Sequence, residues 1–368
     1  MSDNLRSYHI IRQGLEQLYP TRLSASQLRT LRTLSLVIHG LIASRHCHLN
    51  QIARKMPVGC GGKLESRIKQ LARFMANEQL TSETYWLPYA QPLLAALTTN
   101  SQRVLKISLD GSTLGRGCMG LMASVVYAGR SLPIAWLVVK GKKGHLPQTR
   151  HLELVQSVKQ LLGPTTKVLV LGDGEFDGTG LLARLKEYGW DYVVRTAKNT
   201  IVYEGSERKS LQDLAVEVGQ VKWLASAYLR DQKYGPVLAI AEWERGYEHP
   251  IYLLSNLLEP YAVVFEYKLR FRIECFFSDS KTRGFRLDKS HLSEPERLNR
   301  LLIGAVLAYW WLTYLGVSGR EADWDKLVHR SDRTDLSFFQ LGWRILDEFL
   351  RCEREIPFGL TLLPQALF

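Results

Sequence analysis

The chain has 368 residues, 46% of them hydrophobic, and a formal net charge of +12. It is long enough to bury one large core or roughly two to three smaller ones, and it contains no low-complexity run. A balance this basic points to a polyanionic partner, nucleic acid first and a membrane surface second, while five scattered cysteines (Cys47, Cys60, Cys118, Cys275, Cys352) argue against a disulfide scaffold and for reduced thiols in the cytoplasm.

The first residues, MSDNLRSYHIIRQG, lack the basic-then-apolar order of a signal peptide. Residues 1–100 read as helices. In SASQLRTLRTLSLVIHGLIAS, Leu28, Leu31, Leu34, Val37 and Leu41 recur at helical spacing, and Ser24 or Ser26 can cap the helix. LNQIARKM, a GCGG turn and KLESRIKQLARFMAN then give a short helix, a glycine turn and a basic helix, a weak helix-turn-helix cue. The region carries 12 Lys/Arg against 5 acids. An ordinary basic bundle accounts for that, and so does a DNA-binding one; a DNA partner favours the second. His46, Cys47, His48 and Cys60 can be drawn as a zinc site, but adjacent residues rarely ligate one ion and the spacing fits no ordinary finger.

The texture changes near residue 103. RVLKISLDGS reads as a strand ending in Asp110, and MGLMASVVYAG and SLPIAWLVVKG as two more around the turn AGRS, an antiparallel meander. QTRHLELVQSVKQLLG is an amphipathic helix and TTKVLVLGDGEF a buried strand ending in Asp173. DGTGLLARLKEYG is a helix with Asp177 as its N-cap, and WDYVVRT is a further strand. Three strands, helix, strand, helix, strand is the order of a ribonuclease H-like mixed sheet with helices on its faces, so the predicted class is α/β (mixed α+β).

Residues 197–255 break this rhythm with short strands in VKWLASAYL, VLAIAEWE and PIYLLSN, and read as a β-rich insertion. A helix begins near Pro260, carries YKLRFRIECFFSDSK and stops at Gly284. Beyond residue 290 the chain is helical, in RLNRLLIGAVLAYWWLTYL and LSFFQLGWRILDEFLRCE. The apolar run 301–317 is slightly short for a membrane span and rich in aromatics, which makes it a buried core helix. The expected division is a helical DNA-binding region (1–100), a catalytic domain (101–196 and 256–320), the insertion (197–255) and a C-terminal helical region (321–368).

The stretch from Tyr267 to Lys281 poses a sharper question. An α-helix turns about 100° per residue, so with Tyr267 at zero, Arg270, Glu274 and Lys281 fall near about 300°, 340° and 320°, a stripe of roughly 60°. Ion pairs on a solvated face explain such a stripe; a shared target explains it too. Asp110 and Asp173 end strands that lie side by side in a ribonuclease H-like sheet, and Glu274 can reach the same edge from the sheet's face. Three carboxylates gathered there without a basic neutraliser repel one another unless hard cations sit between them. Two Mg²⁺ ions roughly 4 Å apart activate a water or a 3′-hydroxyl and stabilise the leaving oxygen of a phosphodiester. Each Asp-Gly pair alone is an ordinary turn; the joint placement carries the reading. Glu175 competes with Asp173, which is preferred because it directly follows the apolar run VLVLG.

Tyr267, Arg270, Glu274 and Lys281, spaced by two, three and six residues, complete a signature. With both strand acids, the chain resembles the DDE transposases of the insertion sequence 4 family over roughly residues 100–320. The resemblance implies that Asp110, Asp173 and Glu274 are catalytic and hold Mg²⁺, with Mn²⁺ able to substitute. It implies phosphate binding by Arg270, Lys281 and the Tyr267 hydroxyl. Relatives cleave transposon ends by hydrolysis, often through hairpins, and join 3′-hydroxyls to target DNA. They act as dimers in a DNA complex, so the implied partners are double-stranded DNA and a second copy, with no membrane, in a bacterial cytoplasm and nucleoid-associated when bound. The 101 positions between Asp173 and Glu274 suit a strand-rich insertion. Where many relatives carry an Asp-Arg pair after the second acid this chain has GDGEFDG, which removes one basic contact. A flipped base would stack on Trp243, with Trp223 as the alternative, and either can instead pack the insertion. Lys140, Lys142, Lys143 and His145 in KGKKGH, and Arg195, can track DNA backbone or remain solvated. A structure-specific nuclease of the same fold, or a DNA-binding protein derived from a transposase, are the alternatives; the completeness of the six residues argues against the latter.

Overall fold

The computed structural model describes every residue except 1, 60–61, 99–102, 128, 143, 145, 231, 331–334 and 362–368. Among the described residues six helices come first: α1 (Asp3–Leu18), α2 (Ala25–Ser44), α3 (Leu49–Lys55), α4 (Leu64–Ala76), α5 (Ser82–Tyr85) and α6 (Leu87–Thr98). Ser24 opens α2 with a capping box, its hydroxyl accepting the Gln27 N–H while the Gln27 side chain accepts the Ser24 N–H. Leu31, Leu34, Val37 and Leu41 form the buried stripe that their spacing predicts.

The meander follows as β1 (Leu105–Leu114), β2 (Cys118–Tyr127) and β3 (Arg130–Lys140), then α7 (Gln148–Leu161), β4 (Val168–Gly172), α8 (Thr179–Glu187) and β5 (Asp191–Thr196). β2 runs antiparallel to β1 and β3, whereas β4 runs parallel to β1 and β5. The order β3-β2-β1-β4-β5 is that of a ribonuclease H-like sheet. β4 is buried throughout, as a strand flanked on both edges and covered on both faces must be.

The residues after β5 add β6 (Ile201–Glu204), β7 (Glu207–Ser210), β8 (Val221–Leu229), β9 (Tyr234–Glu242) and β10 (Ile251–Ser255). The short hairpin β6–β7 had no sequence signal, because its charged residues lack apolar alternation. These strands do not fold as a sheet apart. β10 pairs with β5 and the ladder continues through β9, β8, β6 and β7, giving one ten-stranded sheet. The pairing removes an open edge that β5 would otherwise expose.

The helix expected from Pro260 through Lys281 is interrupted: α9 (Pro260–Tyr267) passes into a 3₁₀ turn, Lys268–Phe271, before α10 (Arg272–Ser280). A 3₁₀ turn advances about 120° per residue, so the single-helix arithmetic fails across the joint. α10 also ends at Ser280, four positions short of the expected stop at Gly284. Gly284 belongs to the turn beyond it, where a Cβ would lie 2.0 Å from the Asp279 carbonyl oxygen.

The chain closes with α11 (Pro295–Glu321), α12 (Asp325–Val328) and α13 (Phe338–Arg351). The most apolar 18-residue window of α11 is 89% buried. It packs between β3, α2 and α13. α11 meets α13 backbone to backbone, and a Cβ at Gly342 would lie 1.8 Å from the Leu312 carbonyl oxygen. One continuous core joins the N-terminal helices, the sheet and the C-terminal helices, and a smaller cluster, including Leu169, Leu171, Val193 and Val263, lies under α9.

Candidate active site

β1 and β4 run parallel with Leu109 opposite Gly172, so the next residues, Asp110 and Asp173, stand at one level on neighbouring strands. Strand alternation turns both toward the face of Leu169 and Leu171, the face that carries α9. β1 does not end at Asp110 as its sequence suggested; it continues to Leu114 against β2, and it is β4 that stops. Asp110 is buried, its Oδ1 accepting the Gly111 N–H at 2.7 Å. Asp173 precedes the 3₁₀ turn Gly174–Phe176 and caps it, Oδ1 accepting the Glu175 N–H at 3.0 Å.

Glu175, the competing acid, points the other way. Its buried side chain lies 3.7 Å from Nε2 of His151 on α7, and its Oε2 sits 3.4 Å from where a Gly111 Cβ would be. Asp177 is not the N-cap of α8, a place taken by Gly178. It instead accepts from Thr196 Oγ1 and from Arg230 Nη2 at 2.7 Å, tying the loop after β4 to β5 and the insertion. Glycine at the cap leaves the Asp177 carboxylate available for that tie.

Arg270, in the 3₁₀ turn, is 6% exposed. Its Nη2 donates to Glu274 Oε1 at 2.9 Å and its Nη1 faces Asp110 Oδ2 at 3.4 Å. The expectation of three acids without a basic neutraliser is therefore corrected: a guanidinium stands between the strand acid and the helix acid. A buried carboxylate such as Asp110 requires a partner, and Arg270 supplies it. Among the described residues no group of three or more His, Cys, Asp or Glu is gathered closely enough to hold one ion. The donor set nevertheless suits a hard divalent cation: Asp110, Asp173 and Glu274 offer carboxylate oxygens only, and Arg270 already marks a place between two of them where positive charge is required.

Tyr267 is buried in the small cluster with Leu171 and Val193. Burial raises the pKa of its phenol, opposed by the charges of Arg270 and Arg195. The Tyr267 hydroxyl is buried beside Arg270, and among the described residues the buried Arg270 Nε meets no acceptor. Lys281, just past α10, donates to the hydroxyl of Ser112, two residues beyond Asp110. The signature residues thus reach the β1–β4 edge from three short segments rather than from one helical stripe.

Arg195 is exposed on β5 and lines a cleft of about 760 Å³ with Asp173, Asp177 and Lys198. A cavity of about 270 Å³ beside it is lined by Arg195, Glu242, His249, Tyr267 and Lys268. Trp243 packs half-buried against the main core, its Nε1 donating to the Tyr247 carbonyl at 2.9 Å. Trp223 on β8 is 42% exposed and meets Tyr261 edge to face at 6.1 Å. Lys142 is exposed after β3; Lys143 and His145 lie outside the described residues. The His151–Glu175 pair and the Lys281–Ser112 contact had no signal in the sequence, since each joins residues distant along the chain.

Residues 104–311, more than half of the chain, match the transposase DDE domain family. The chain belongs to this family. The matched segment of the transposase begins just before β1 and ends within α11, taking in both strand acids, all the strands and Glu274. Among solved structures the transposase is similar to a piggyBac transposase synaptic complex with hairpin DNA, at 13% identity, 100% coverage of this chain, 84% of that chain and a TM-score of 0.47. No curated protein matches it.

Proposed function

We propose that this transposase is of the insertion sequence 4 type. It binds the terminal inverted repeats of its element, cleaves the ends by Mg²⁺-dependent phosphodiester hydrolysis with Mn²⁺ able to substitute, and joins the 3′-hydroxyls to target DNA as a homodimer on the DNA. The observation that most supports this is the level placement of Asp110 and Asp173 on adjacent parallel strands, with Arg270 and Glu274 facing them. Asp110, Asp173 and Glu274 would hold Mg²⁺, which when bound supplies Lewis-acid charge to a phosphodiester.

The remaining work falls to this chain's own groups. Among the described residues the buried Arg270 Nε meets no acceptor, and a phosphate oxygen satisfies it, with the Tyr267 hydroxyl beside Arg270 as a second donor to the same group. Lys281 places a further positive charge beyond Asp110. Arg195 lies in the cleft beside Asp173 and takes the neighbouring backbone phosphate, and the exposed Lys142, with Lys143 next to it in sequence, supplies further charge for the DNA backbone. Trp223, more open than Trp243, is the platform for an unstacked base during hairpin formation. The helical region 1–100 contacts the repeats.

Incubating the protein in Mg²⁺ with a DNA fragment carrying the sequence that flanks its coding region tests this reading. Cuts at the borders of inverted repeats, followed by joined 3′ ends, are expected. Cuts at branched junctions, without end preference or joining, would identify a structure-specific nuclease instead.

A further inference from the structure

The residues His46, Cys47 and His48, between α2 and α3, fit no zinc finger, yet they converge with two distant segments. The His48 ring lies 4.9 Å from that of His291 and 6.3 Å from that of His46. His291 Nδ1 is 3.3 Å from Nη2 of Arg116, which sits in the β1–β2 turn. Arg286, in the loop after α10, is close enough to act on the charge of His46. The cluster is linked to the candidate active site through the Arg286 N–H, which bonds the Lys281 carbonyl at 2.9 Å, and the Arg116 N–H bonds the carbonyl of Leu292, next to His291, at 2.8 Å. Arg286 and His291 both hold left-handed backbone, φ 54° and 62°, which is uncommon without glycine.

The chemistry favours an anion over a metal. The Arg116 guanidinium stands against the His291 ring, the Arg286 charge acts on His46, and no metal-holding group of three His, Cys, Asp or Glu occurs among the described residues. Burial holds His46 and His48 below their ordinary pKa; His291 lowers both further, and Arg286 and His48 add to the effect on His46, where Asp288 alone acts in the opposite direction. An anion among the rings reverses these repulsions. The other groups nearby are engaged. Arg45 pairs with Asp347 at 2.9 Å and Lys289 lies 3.6 Å from Asp288. The Cys47 thiol, pushed up to about 12, stays protonated and donates to the Arg286 carbonyl.

We propose that His46, His48 and His291, with Arg116 and Arg286, form a phosphate-binding patch that grips the DNA backbone beside the active site and tightens as His46 and His48 take up protons. The DNA partner rests on the function proposed above; the phosphate chemistry does not. Two measurements separate them. DNA affinity is followed from pH 8 to pH 6 and across salt for the wild type, the double variant His48→Gln/His291→Gln, and Arg116→Gln. The wild type is expected to bind tighter at pH 6, the double variant to lose most of that gain, and Arg116→Gln to reduce the slope of log affinity against log salt by about one. In parallel, inorganic phosphate added to the wild-type protein at pH 6 should move the NMR signals of the His48 and His291 rings. Unchanged rings together with variants that keep the wild-type pH and salt dependence would overturn the patch. Shifted rings in a protein that binds no DNA would uphold the phosphate site and contradict the transposase reading.

Discussion

Arg270 donates to Glu274 at 2.9 Å while its other terminal nitrogen faces Asp110 at 3.4 Å. One buried cation thus serves an acid from the sheet and an acid from the helix. Replacing it with a neutral side chain, Arg270→Met, takes from the buried Asp110 the guanidinium that faces it, a loss of up to roughly 3–5 kcal/mol. A divalent cation can supply the missing charge. The variant should melt well below the wild type without Mg²⁺, and Mg²⁺ should raise its Tm more than it raises that of the wild type. Equal Mg²⁺ responses would show that no cation enters between these acids.

Glu274→Gln keeps an acceptor for Arg270 and so keeps the local fold, but it loses a negative oxygen. Cleavage of element ends in Mg²⁺ should vanish while gel-shift binding to the same ends is retained. Normal cutting by this variant would remove Glu274 from the catalytic set.

The packing of α11 on α13 rests on Gly342, where a Cβ would come within 1.8 Å of the Leu312 carbonyl oxygen. Backbone cannot yield as a flexible side chain can. Gly342→Ala should cost about 1–3 kcal/mol or more, seen as a lower urea midpoint. Gly62→Ala, whose nearest neighbour is 4.0 Å from the new Cβ, should leave the midpoint almost unmoved.

His39 is buried on α2, with Nε2 3.0 Å from the Lys55 carbonyl and Nδ1 3.2 Å from the Ser7 hydroxyl. Burial lowers its pKa to about 4. Between pH 6.5 and 4 the unfolded chain takes up a proton that the folded chain refuses, so stability falls with pH across that window. The contribution is complete above pH 6.5 and declines by roughly 3 kcal/mol toward pH 4. Urea unfolding at pH 7 and pH 4.5 should show a smaller difference for His39→Gln than for the wild type; an unchanged difference would place the acid sensitivity elsewhere.

Local order was legible in the sequence because it depends on neighbours in the chain. The buried run VLVLG announced β4, a serine at 24 or 26 announced the start of α2, and the element order announced the sheet. The joining of β10 to β5 was not legible, since edge-to-edge pairing is decided by which strand lies open in the assembled sheet. The 3₁₀ turn at Lys268–Phe271 was hidden because its residues fit an α-helix equally well. At the site, the apolar run VLVLG already favoured Asp173 over Glu175, and the direction of the Glu175 side chain, turned toward His151, had no signal in the sequence. The role of Arg270 as the partner of Asp110 required the fold, as their separation of 160 positions carries no local pattern.

The central claim is that Asp110 and Asp173 hold one divalent ion between them. Mn²⁺ titration followed by electron paramagnetic resonance tests it without any need for substrate. Wild-type protein and Glu175→Gln should bind Mn²⁺ alike, and Asp110→Asn and Asp173→Asn should each lose the bound signal. Retention of the ion by Asp173→Asn together with its loss from Glu175→Gln would contradict the claim and move the second acid across the sheet.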